Sequence, residues 1–258
     1  MRILTIGDIV GRRSIEYLSA RLRKLSSRLG ADFTVVNGEN AAEIHGVSAR
    51  DAEAILDAGA DIVTLGNHAF GQKDIGTFLD DRCTEIIRPA NYPALCPGMG
   101  YAIRDVNGRR LLCVNLSGTV HLDELDNPFH VIDRLLDSLK GQYDLALMDF
   151  HAEATSEKVA MGRYLDGRVQ IVFGTHTHIQ TADEQVLPGG TGYITDIGMT
   201  GPVNGVIGTD AQAVLYRMTT KMPTRFNVAD GPIEGRGALF VLEDAKPYKC
   251  VKVERITF

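Results

Sequence analysis

Short apolar runs alternate with amphipathic segments along the first third of the chain. The runs are apolar and β-branched, as in buried strands, and they occupy residues 3–6, 33–36 and 62–65. Residues 14–29 place an apolar side chain at every third or fourth position, which predicts one continuous helix. Ser48, followed three positions later by Asp51, predicts the start of a second helix. This order of strands and helices predicts an α/β fold with parallel strands and right-handed crossovers.

The middle and end of the chain carry a different pattern. Asn107-Gly108 lies between two strand-like runs and predicts a β-hairpin with a type I′ turn. One further helix and four further strands are predicted, over residues 128–139, 145–148, 169–173, 238–242 and 250–256. The last third is rich in glycine and favours strands. No repeat, low-complexity tract or linker interrupts the pattern, so we expect a single domain over residues 1–258.

Composition and charge narrow the class of protein. The 258 residues include 27 Lys and Arg against 33 Asp and Glu, a net charge of −6, and 44% are hydrophobic. These values exclude a disordered or fibrous chain. The acidic balance argues against nucleic-acid phosphates or anionic lipid as the main source of affinity. The basic residues around the first predicted helix are interpreted as a solvated face, with RNA docking as the weaker alternative.

The cysteines and the N-terminus give little sign of export or of a metal-thiolate site. The four cysteines are widely spaced and form no C-x-x-C pair, which argues against a zinc ribbon, a thioredoxin-like site or a disulfide framework. The first residues lack the apolar region and cleavage site of a signal peptide, and no apolar stretch approaches about 18 residues. We therefore expect a cytoplasmic protein with no membrane partner.

Polar residues that could bind a metal follow five of the buried strands. They are Asp8, Glu39, Asn40, Asn67, His68, His151, His176 and His178. The carboxyl ends of parallel strands line one crevice in α/β proteins. We therefore expect these side chains to converge, although they are far apart in sequence.

Each of these residues also has a structural interpretation when taken alone. Gly-Asp after a strand is a common turn, and Asn67 could occupy a left-handed turn position. A single histidine such as His151 is more often structural than catalytic. We expect residues 176–178 to be extended, which would point the imidazoles of His176 and His178 to one side. The coincidence at five strand ends favours a functional site, whereas His45, His121 and His130 lie outside the pattern and are interpreted as surface or packing residues.

The types of candidate ligand constrain the metal. Two carboxylates, amide oxygens and three imidazoles without a thiolate suit Mn²⁺, Fe²⁺ or Zn²⁺. These groups are too many for one tetrahedral ion. Two ions roughly 3.5–4 Å apart with a bridging carboxylate would use them all, as in two-metal phosphoesterases.

The ordered segments resemble those of a known superfamily. They are Gly7-Asp8, Asn37-Gly38-Glu39-Asn40, Gly66-Asn67-His68, His151 and Gly174-Thr175-His176-Thr177-His178. Together they are similar to the motifs of the calcineurin-like metallophosphoesterases. The residues of these motifs are most similar to those of the bacterial branch of YmdB-like phosphodiesterases. That branch also has segments similar to residues 88–93 and 195–202. The resemblance extends over nearly the full chain.

The sequence departs from the broad superfamily at several positions. Val10 stands where many members have a metal-binding histidine, and Glu39 stands where most have a bridging aspartate. Both features are shared with the YmdB-like branch, in which Asn40 is expected to complete the site. Ala69 follows the Asn-His pair where an acid is usual, so an acid that orients His68 must come from elsewhere. Phe70 replaces a frequent tryptophan near the rim of the pocket.

The resemblance implies a four-layer α/β/β/α sandwich with a dinuclear metal site at the carboxyl ends of the strands. It assigns Asp8, Glu39, Asn40 and His178 to the first metal. Glu39 bridges to the second metal, which also takes Asn67, His151 and His176. Iron or manganese is expected first, with zinc or magnesium as the alternatives.

The resemblance and the residue types together give a mechanistic hypothesis. Two ions lower the pKa of water, hydroxide attacks phosphorus, and His68 protonates the leaving alkoxide as general acid. The branch implies phosphodiester substrates, first of all cyclic nucleotides such as 2′,3′- or 3′,5′-cAMP. RNA ends are a further option that the charge does not favour. We also expect a homo-oligomer, because the C-terminal strands would leave a sheet edge exposed.

Three other functions fit the sequence less well than this hypothesis. A non-catalytic or weakly catalytic cyclic-nucleotide or metal-dependent regulator on the same scaffold should lack ligands or His68, and none is missing. A TIM-barrel amidohydrolase normally has its His-x-His pair after the first strand, whereas here the pair follows a late one. A dinucleotide-binding protein needs G-x-G-x-x-G, and residues 7–11 do not fit that spacing.

Overall fold

A computed structural model describes residues 1–43 and 45–258 of the chain. The strands of the described residues are β1 (Arg2–Ile6), β2 (Asp8–Ile9), β3 (Phe33–Asn37), β4 (Ile62–Thr64), β5 (Ile86–Ile87), β6 (Tyr101–Val106), β7 (Arg109–Ser117), β8 (Leu145–His151), β9 (Ile171–Thr175), β10 (Gln185–Val186), β11 (Gly192–Ile194), β12 (Met199–Pro202), β13 (Ile233–Glu234), β14 (Arg236–Leu242) and β15 (Cys250–Thr257). Their helices are α1 (Arg12–Ser19), α2 (Leu22–Leu29), α3 (Ala49–Ala58), α4 (Ile75–Asp81), α5 (Pro128–Ser138), α6 (Thr155–Leu165) and α7 (Ala211–Thr220). None of these helices has the length and apolar content needed to cross a membrane.

Within the described residues, the strands form two large sheets and one small sheet. The first large sheet has the order β15-β14-β1-β3-β4-β5, and the second has the order β10-β11-β9-β8-β7-β6. In both, the central strands pair in parallel and the outer pairs β14-β15 and β6-β7 are antiparallel. The small sheet joins β2 to β12 in parallel and β12 to β13 in antiparallel fashion.

Alternate side chains of the central strands face two different apolar cores. In β7, Leu111 and Cys113 point between the two large sheets, while Leu112 and Val114 point outward against α5 and α6. A third core lies between the outer face of the first sheet and helices α1 to α4. Three cores between four layers confirm the predicted α/β/β/α sandwich. Burial of both faces explains why the central strands appear as continuous apolar runs in the sequence.

Residues 14–29 form two helices, so the prediction of one continuous helix is wrong. α1 ends at Ser19, and Arg21 leaves the helical region with a φ of −129° before α2 begins. Leu18 and Leu22 on either side of this turn are both fully buried at 0% exposure. The turn therefore lets both helices pack their leucines against the same sheet, which the spacing of apolar residues alone does not reveal.

Several local predictions are confirmed, with shifts at the element ends. The Ser48 side chain accepts a hydrogen bond from the Asp51 amide at the start of α3, and Asn107 has a φ of 55° in the β6-β7 turn. The strand predicted at residues 169–173 forms at Ile171–Thr175. α6 and α7 were not predicted, and α7 contradicts the expectation of a strand-rich last third. Their patterns are weak because α7 buries only Val214 and α6 buries a lysine and a glycine.

Candidate active site

The carboxyl ends of five strands from the two large sheets meet at one place. β1, β3 and β4 of the first sheet and β8 and β9 of the second end there. The structure thus brings together the seven predicted metal ligands and places His68 beside them. The sequence predicted this convergence from strand ends alone.

His151, the last residue of β8, lies at the centre of the cluster. Its Nε2 atom is 3.0 Å from Asn67 Oδ1, 3.0 Å from His176 Nδ1 and 3.4 Å from Glu39 Oε1. On the opposite side of the ring, Nδ1 lies 3.8 Å from Asp8 Oδ1. One imidazole therefore contacts four of the other predicted ligands.

The two carboxylates of the cluster are buried and incompletely hydrogen-bonded. Asp8 is 0% exposed and Glu39 is 1% exposed. Asp8 Oδ2 accepts from the His176 amide at 3.3 Å, and Glu39 Oε1 accepts from the His68 amide at 3.0 Å. Within the described residues, their other oxygens, Asp8 Oδ1 and Glu39 Oε2, are buried without a hydrogen-bond partner. A buried carboxylate oxygen without a partner is costly unless a cation compensates it, so this pair fits a metal site.

His178 joins the cluster from the other side of Asp8. Its Nε2 atom is 3.1 Å from Asn40 Oδ1 and 4.0 Å from Asp8 Oδ1. Its Nδ1–H donates to the carbonyl of Ile207 at 2.9 Å. A histidine that donates through Nδ1 in its neutral form presents a lone pair on Nε2, which is the form that binds metals.

Residues 176–178 are not extended, so the predicted reason for the convergence of the two histidines is wrong. His176 has a φ of 99° and His178 a φ of 64°, both in the region that L-residues rarely occupy. The chain turns at each histidine, and this double turn aims His176 Nδ1 at His151 and His178 Nε2 at Asn40. Such strained backbone is typical of functional sites.

His68 lies beside the cluster rather than within it. The contacts of its ring are Asn67 Nδ2, 3.4 Å from Nε2, and the ring of His45, with centroids 4.4 Å apart. Burial lowers the pKa of His68, while the carboxylates of Glu39 and Asp123 act in the opposite direction. His45 is exposed, as predicted, yet its contact with His68 places it at the rim of the site.

Burial and mutual charge shift the ionisation of the central groups. Burial raises the pKa of Asp8. Burial also acts against ionised Glu39, but the charges of His151 and His68 outweigh it and lower the pKa of Glu39. For His151 burial favours the neutral ring, yet Glu39 and Asp8 raise its pKa to about 9. Burial and the neighbouring His151 lower the pKa of His176 to about 3. The two buried carboxylates thus favour positive charge in the pocket, and a divalent cation can supply that charge.

A buried hydrogen-bond network orients the His151 ring through its Nδ1 atom. Thr175 Oγ1 lies 2.9 Å from His151 Nδ1 and donates to Asp149 Oδ1 at 2.8 Å. Asp149 also accepts from Asn37 Nδ2 at 3.0 Å and from the Thr64 hydroxyl. Because the Thr175 hydroxyl donates to the carboxylate, it accepts from His151 Nδ1–H. With a metal ion bound, the ring would be neutral and its Nε2 lone pair would face the cluster.

Two side chains that the sequence analysis did not select also contact the cluster. Glu153 Oε2 lies 3.0 Å from His176 Nε2, while Nδ1 of the same ring faces His151. The Tyr92 hydroxyl donates to the carbonyl of Asn67 at 3.1 Å. Burial raises the pKa of Tyr92 to about 12, which keeps this donor protonated. Glu153 could have been found as an acid two residues after a candidate histidine, and Tyr92 lies in the segment at 88–93 that the resemblance included.

The donor atoms suit metal ions although they contact one another directly. Among the described residues, no three side chains of His, Cys, Asp or Glu surround a common metal position. The amide oxygens of Asn40 and Asn67 also converge on the cluster. Asn67 Oδ1, His176 Nδ1 and Glu39 Oε1 all approach His151 Nε2.

Comparisons with known proteins identify relatives over the whole chain. The family model of YmdB-like proteins matches residues 4–256. The 2′,3′-cyclic-nucleotide 2′-phosphodiesterase of Bacillus subtilis (strain 168) is 43% identical over 256 residues, which cover 99% of this chain and 96% of that protein. A crystal structure described as a novel phosphatase from Mycoplasma pneumoniae has a TM-score of 0.93 at 33% identity, covering 100% of this chain and 93% of that one.

A more distant structure agrees on the fold. The NAD nucleotidase of Haemophilus influenzae has a TM-score of 0.61 at 11% identity and is matched over 100% of this chain and 56% of that chain. At this identity the similarity concerns the fold alone. The match of the family model over nearly the whole length, together with the Bacillus relative, shows that the chain belongs to the YmdB-like family.

Proposed function

We propose that this protein is a phosphodiesterase that requires two divalent metal ions and hydrolyses 2′,3′-cyclic nucleotides at the 2′ ester. The observation that carries the proposal is the pair of buried, unpartnered carboxylate oxygens, Asp8 Oδ1 and Glu39 Oε2, beside His151. The activity named for the Bacillus subtilis relative supports the choice of substrate.

The proposed ligands divide into two sets that share Glu39. Asp8, Glu39, Asn40 and His178 would hold one ion, and Glu39, Asn67, His151 and His176 would hold the other. Oxygen and imidazole donors without thiolate suit iron or manganese. When bound, two such ions would supply polarisation of phosphoryl oxygens and a hydroxide near neutral pH.

His68 is the proposed proton donor to the leaving oxygen. Its backbone amide is fixed by Glu39 Oε1 at 3.0 Å, which places the residue beside the bridging position. Its ring is half-buried, so a substrate can reach it. Protonation of the ribose 2′ oxygen by His68 would leave the phosphate on the 3′ oxygen. General acid assistance of this kind accelerates reactions by about 10²–10⁴-fold.

A cleft next to His68 supports a nucleotide substrate. It has a volume of about 460 Å³ and is lined by Ala42, Glu43, His45, Gln72, Thr224, Arg225, Phe226 and Asn227. His45 forms one wall and contacts the His68 ring on its other side. Phe226 is 40% exposed and offers an aromatic face for a base, while Gln72 and Asn227 offer amide groups for the base edge. We place the nucleobase in this cleft.

The test is metal-dependent turnover of 2′,3′-cAMP with analysis of the product. Protein treated with a chelator should be inactive and should recover activity when Mn²⁺ is added. The expected product is 3′-AMP, while 2′-AMP would contradict cleavage of the 2′ ester. Parallel assays with 3′,5′-cAMP test the alternative substrate. Binding of two ions without turnover of either nucleotide would instead favour a regulator that acts through protein contacts.

A further inference from the structure

We propose that Asp196 is a positioning residue for the metal site and that Lys158 is its buried counter-ion. The inference rests on the proposed function, because it concerns how the chain holds the proposed ligands. Asp196 lies in the segment at 195–202, to which the proposed function gives no role. The carboxylate connects two ligand-bearing segments that are remote in sequence.

The first connection is to the turn that carries His176 and His178. Asp196 Oδ2 accepts from the Thr177 amide at 3.1 Å and from the Thr177 hydroxyl at 2.7 Å. Thr177 is the residue between the two histidines, both of which have positive φ. A double hydrogen bond at the middle of this turn stabilises a backbone conformation that L-residues otherwise avoid. Asp196 thereby fixes the directions of both imidazoles.

The second connection is to the backbone of Asp8. Asp196 Oδ1 accepts from the Gly198 amide at 2.8 Å, and the Gly198 carbonyl accepts from the Asp8 amide at 3.2 Å. The approach is close, because a Cβ atom on Gly7 would lie 1.9 Å from the Gly198 oxygen. The two oxygens of one carboxylate thus serve ligand segments on opposite sides of the cluster.

Lys158 explains how this carboxylate is tolerated in the interior. Its side chain on α6 is almost completely buried, with 2% of the residue exposed, and its Nζ atom lies 2.7 Å from Asp196 Oδ2. Lysine is almost never fully buried unless it is paired. The ammonium compensates the carboxylate, so that Asp196 does not add an uncompensated negative charge next to the two carboxylates of the site.

The substitution Asp196→Asn tests the role because an amide cannot replace both oxygens. The NH₂ end of the asparagine side chain would face a hydrogen-bond donor in either orientation. It would face the Gly198 amide in one orientation, and Thr177 and Lys158 in the other. One of the two ligand segments is therefore released in either orientation. Thr177→Val is a milder change that removes only the hydroxyl contact and preserves the shape of the side chain. Asp166→Asn is the matched control, since Asp166 accepts from the Gly189 and Thr191 amides at the amino end of β9.

The readouts are Mn²⁺ affinity by calorimetry and the melting temperature of the metal-free protein. We expect Mn²⁺ to bind about 10–100-fold more weakly to Asp196→Asn and more weakly to Thr177→Val, as for residues that orient metal ligands. Asp166→Asn should keep its Mn²⁺ affinity even if its melting temperature falls. The double variant of Asp196→Asn with Lys158→Met removes both buried charges and should regain stability without regaining affinity.

Three outcomes overturn the inference in distinguishable ways. If the wild-type protein binds Mn²⁺ and both Asp196→Asn and Thr177→Val bind it equally well, Asp196 has a purely structural role and the proposed function is untouched. If the wild-type protein binds no Mn²⁺, the proposed function fails and the inference fails with it. A double variant that regains both stability and affinity would also overturn the inference, because charge burial alone would then explain Asp196→Asn.

Discussion

The Thr175 hydroxyl lies 2.9 Å from Nδ1 of His151 and fixes the orientation of this central imidazole. The hydroxyl donates to Asp149, which is fully buried and whose pKa is raised by that burial to about 6. The chain of contacts from Asp149 through Thr175 directs His151 Nε2 at Asn67 and Glu39. The position of the proposed ligand thus depends on Thr175 and Asp149, two residues inside the β8-β9 pair that are not proposed ligands themselves.

Thr175→Val should weaken metal binding without preventing folding. The variant keeps the β-branched shape but leaves His151 Nδ1–H without an acceptor, at a cost of about 1–3 kcal/mol. We expect Mn²⁺ affinity to fall about 10–100-fold in a calorimetric titration. Thr191→Val is the control, since the Thr191 hydroxyl donates to the Val169 carbonyl at the other end of the sheet. Equal Mn²⁺ affinity in the two variants would contradict the role of Thr175.

Gly66→Ala should disrupt the site by direct steric conflict. A Cβ atom at Gly66 would lie 2.2 Å from Cδ2 and 2.3 Å from Nε2 of the His151 ring. The ring must therefore move, and a misplacement of about 1 Å can reduce turnover about 10²-fold. The measurement is kcat for a phosphodiester with saturating Mn²⁺.

Gly76→Ala is the matched control for this change. Gly76 lies in α4, where a Cβ atom would meet only Pro97 at an ordinary contact distance of 3.5 Å. The control should retain full activity. Retention of activity in Gly66→Ala as well would show that His151 does not occupy its observed position in the working enzyme.

His68→Ala should reduce the rate according to the leaving group. With 2′,3′-cAMP, whose leaving alkoxide is a poor leaving group, we expect kcat to fall about 10²–10⁴-fold. With p-nitrophenyl esters the fall should be much smaller, because p-nitrophenolate leaves without protonation. Metal content, measured by elemental analysis, should stay unchanged. Loss of metal in proportion to activity would instead make His68 a ligand.

Phe226→Ala should discriminate between substrates with and without a base. Stacking on an aromatic side chain is worth about 1–3 kcal/mol per base, so kcat/KM for 2′,3′-cAMP should fall about 5–150-fold. A ribose 2,3-cyclic phosphate that carries a methyl group in place of the base should be unaffected. The control is Tyr216→Ala, an aromatic residue of α7 that is 48% exposed and does not line the cleft. An equal loss for both substrates would place the base elsewhere.

The sequence predicts those site residues that combine a metal-binding side chain with a position at the end of an apolar run. Asp8, Asn67 and His151 each follow or end an apolar run, so the period of the strand places them at a carboxyl end. The turn at His176 and His178 could not be predicted, because its positive φ values depend on Asp196, which lies 19 residues from Thr177 and contacts it only in the folded chain.

The remaining errors also have physical causes. The turn between α1 and α2 contains neither glycine nor proline, and the apolar spacing continues across it, so it leaves no local signal. Lys158 interrupts the apolar face expected of a packed helix, because its charge is compensated by a residue of another segment. Pattern reasoning assumes that buried positions are apolar, and it fails where a buried charge has a specific partner.

The central claim is that two metal ions bound at the strand ends support phosphodiester hydrolysis. The most direct measurement is turnover of bis(p-nitrophenyl) phosphate by chelator-stripped protein before and after Mn²⁺ is supplied, with p-nitrophenyl phosphate assayed in parallel. The account predicts no turnover without metal, recovery with Mn²⁺, and faster hydrolysis of the diester than of the monoester. Undiminished turnover by the stripped protein, or silence on both substrates in a protein shown to hold two ions, would contradict it.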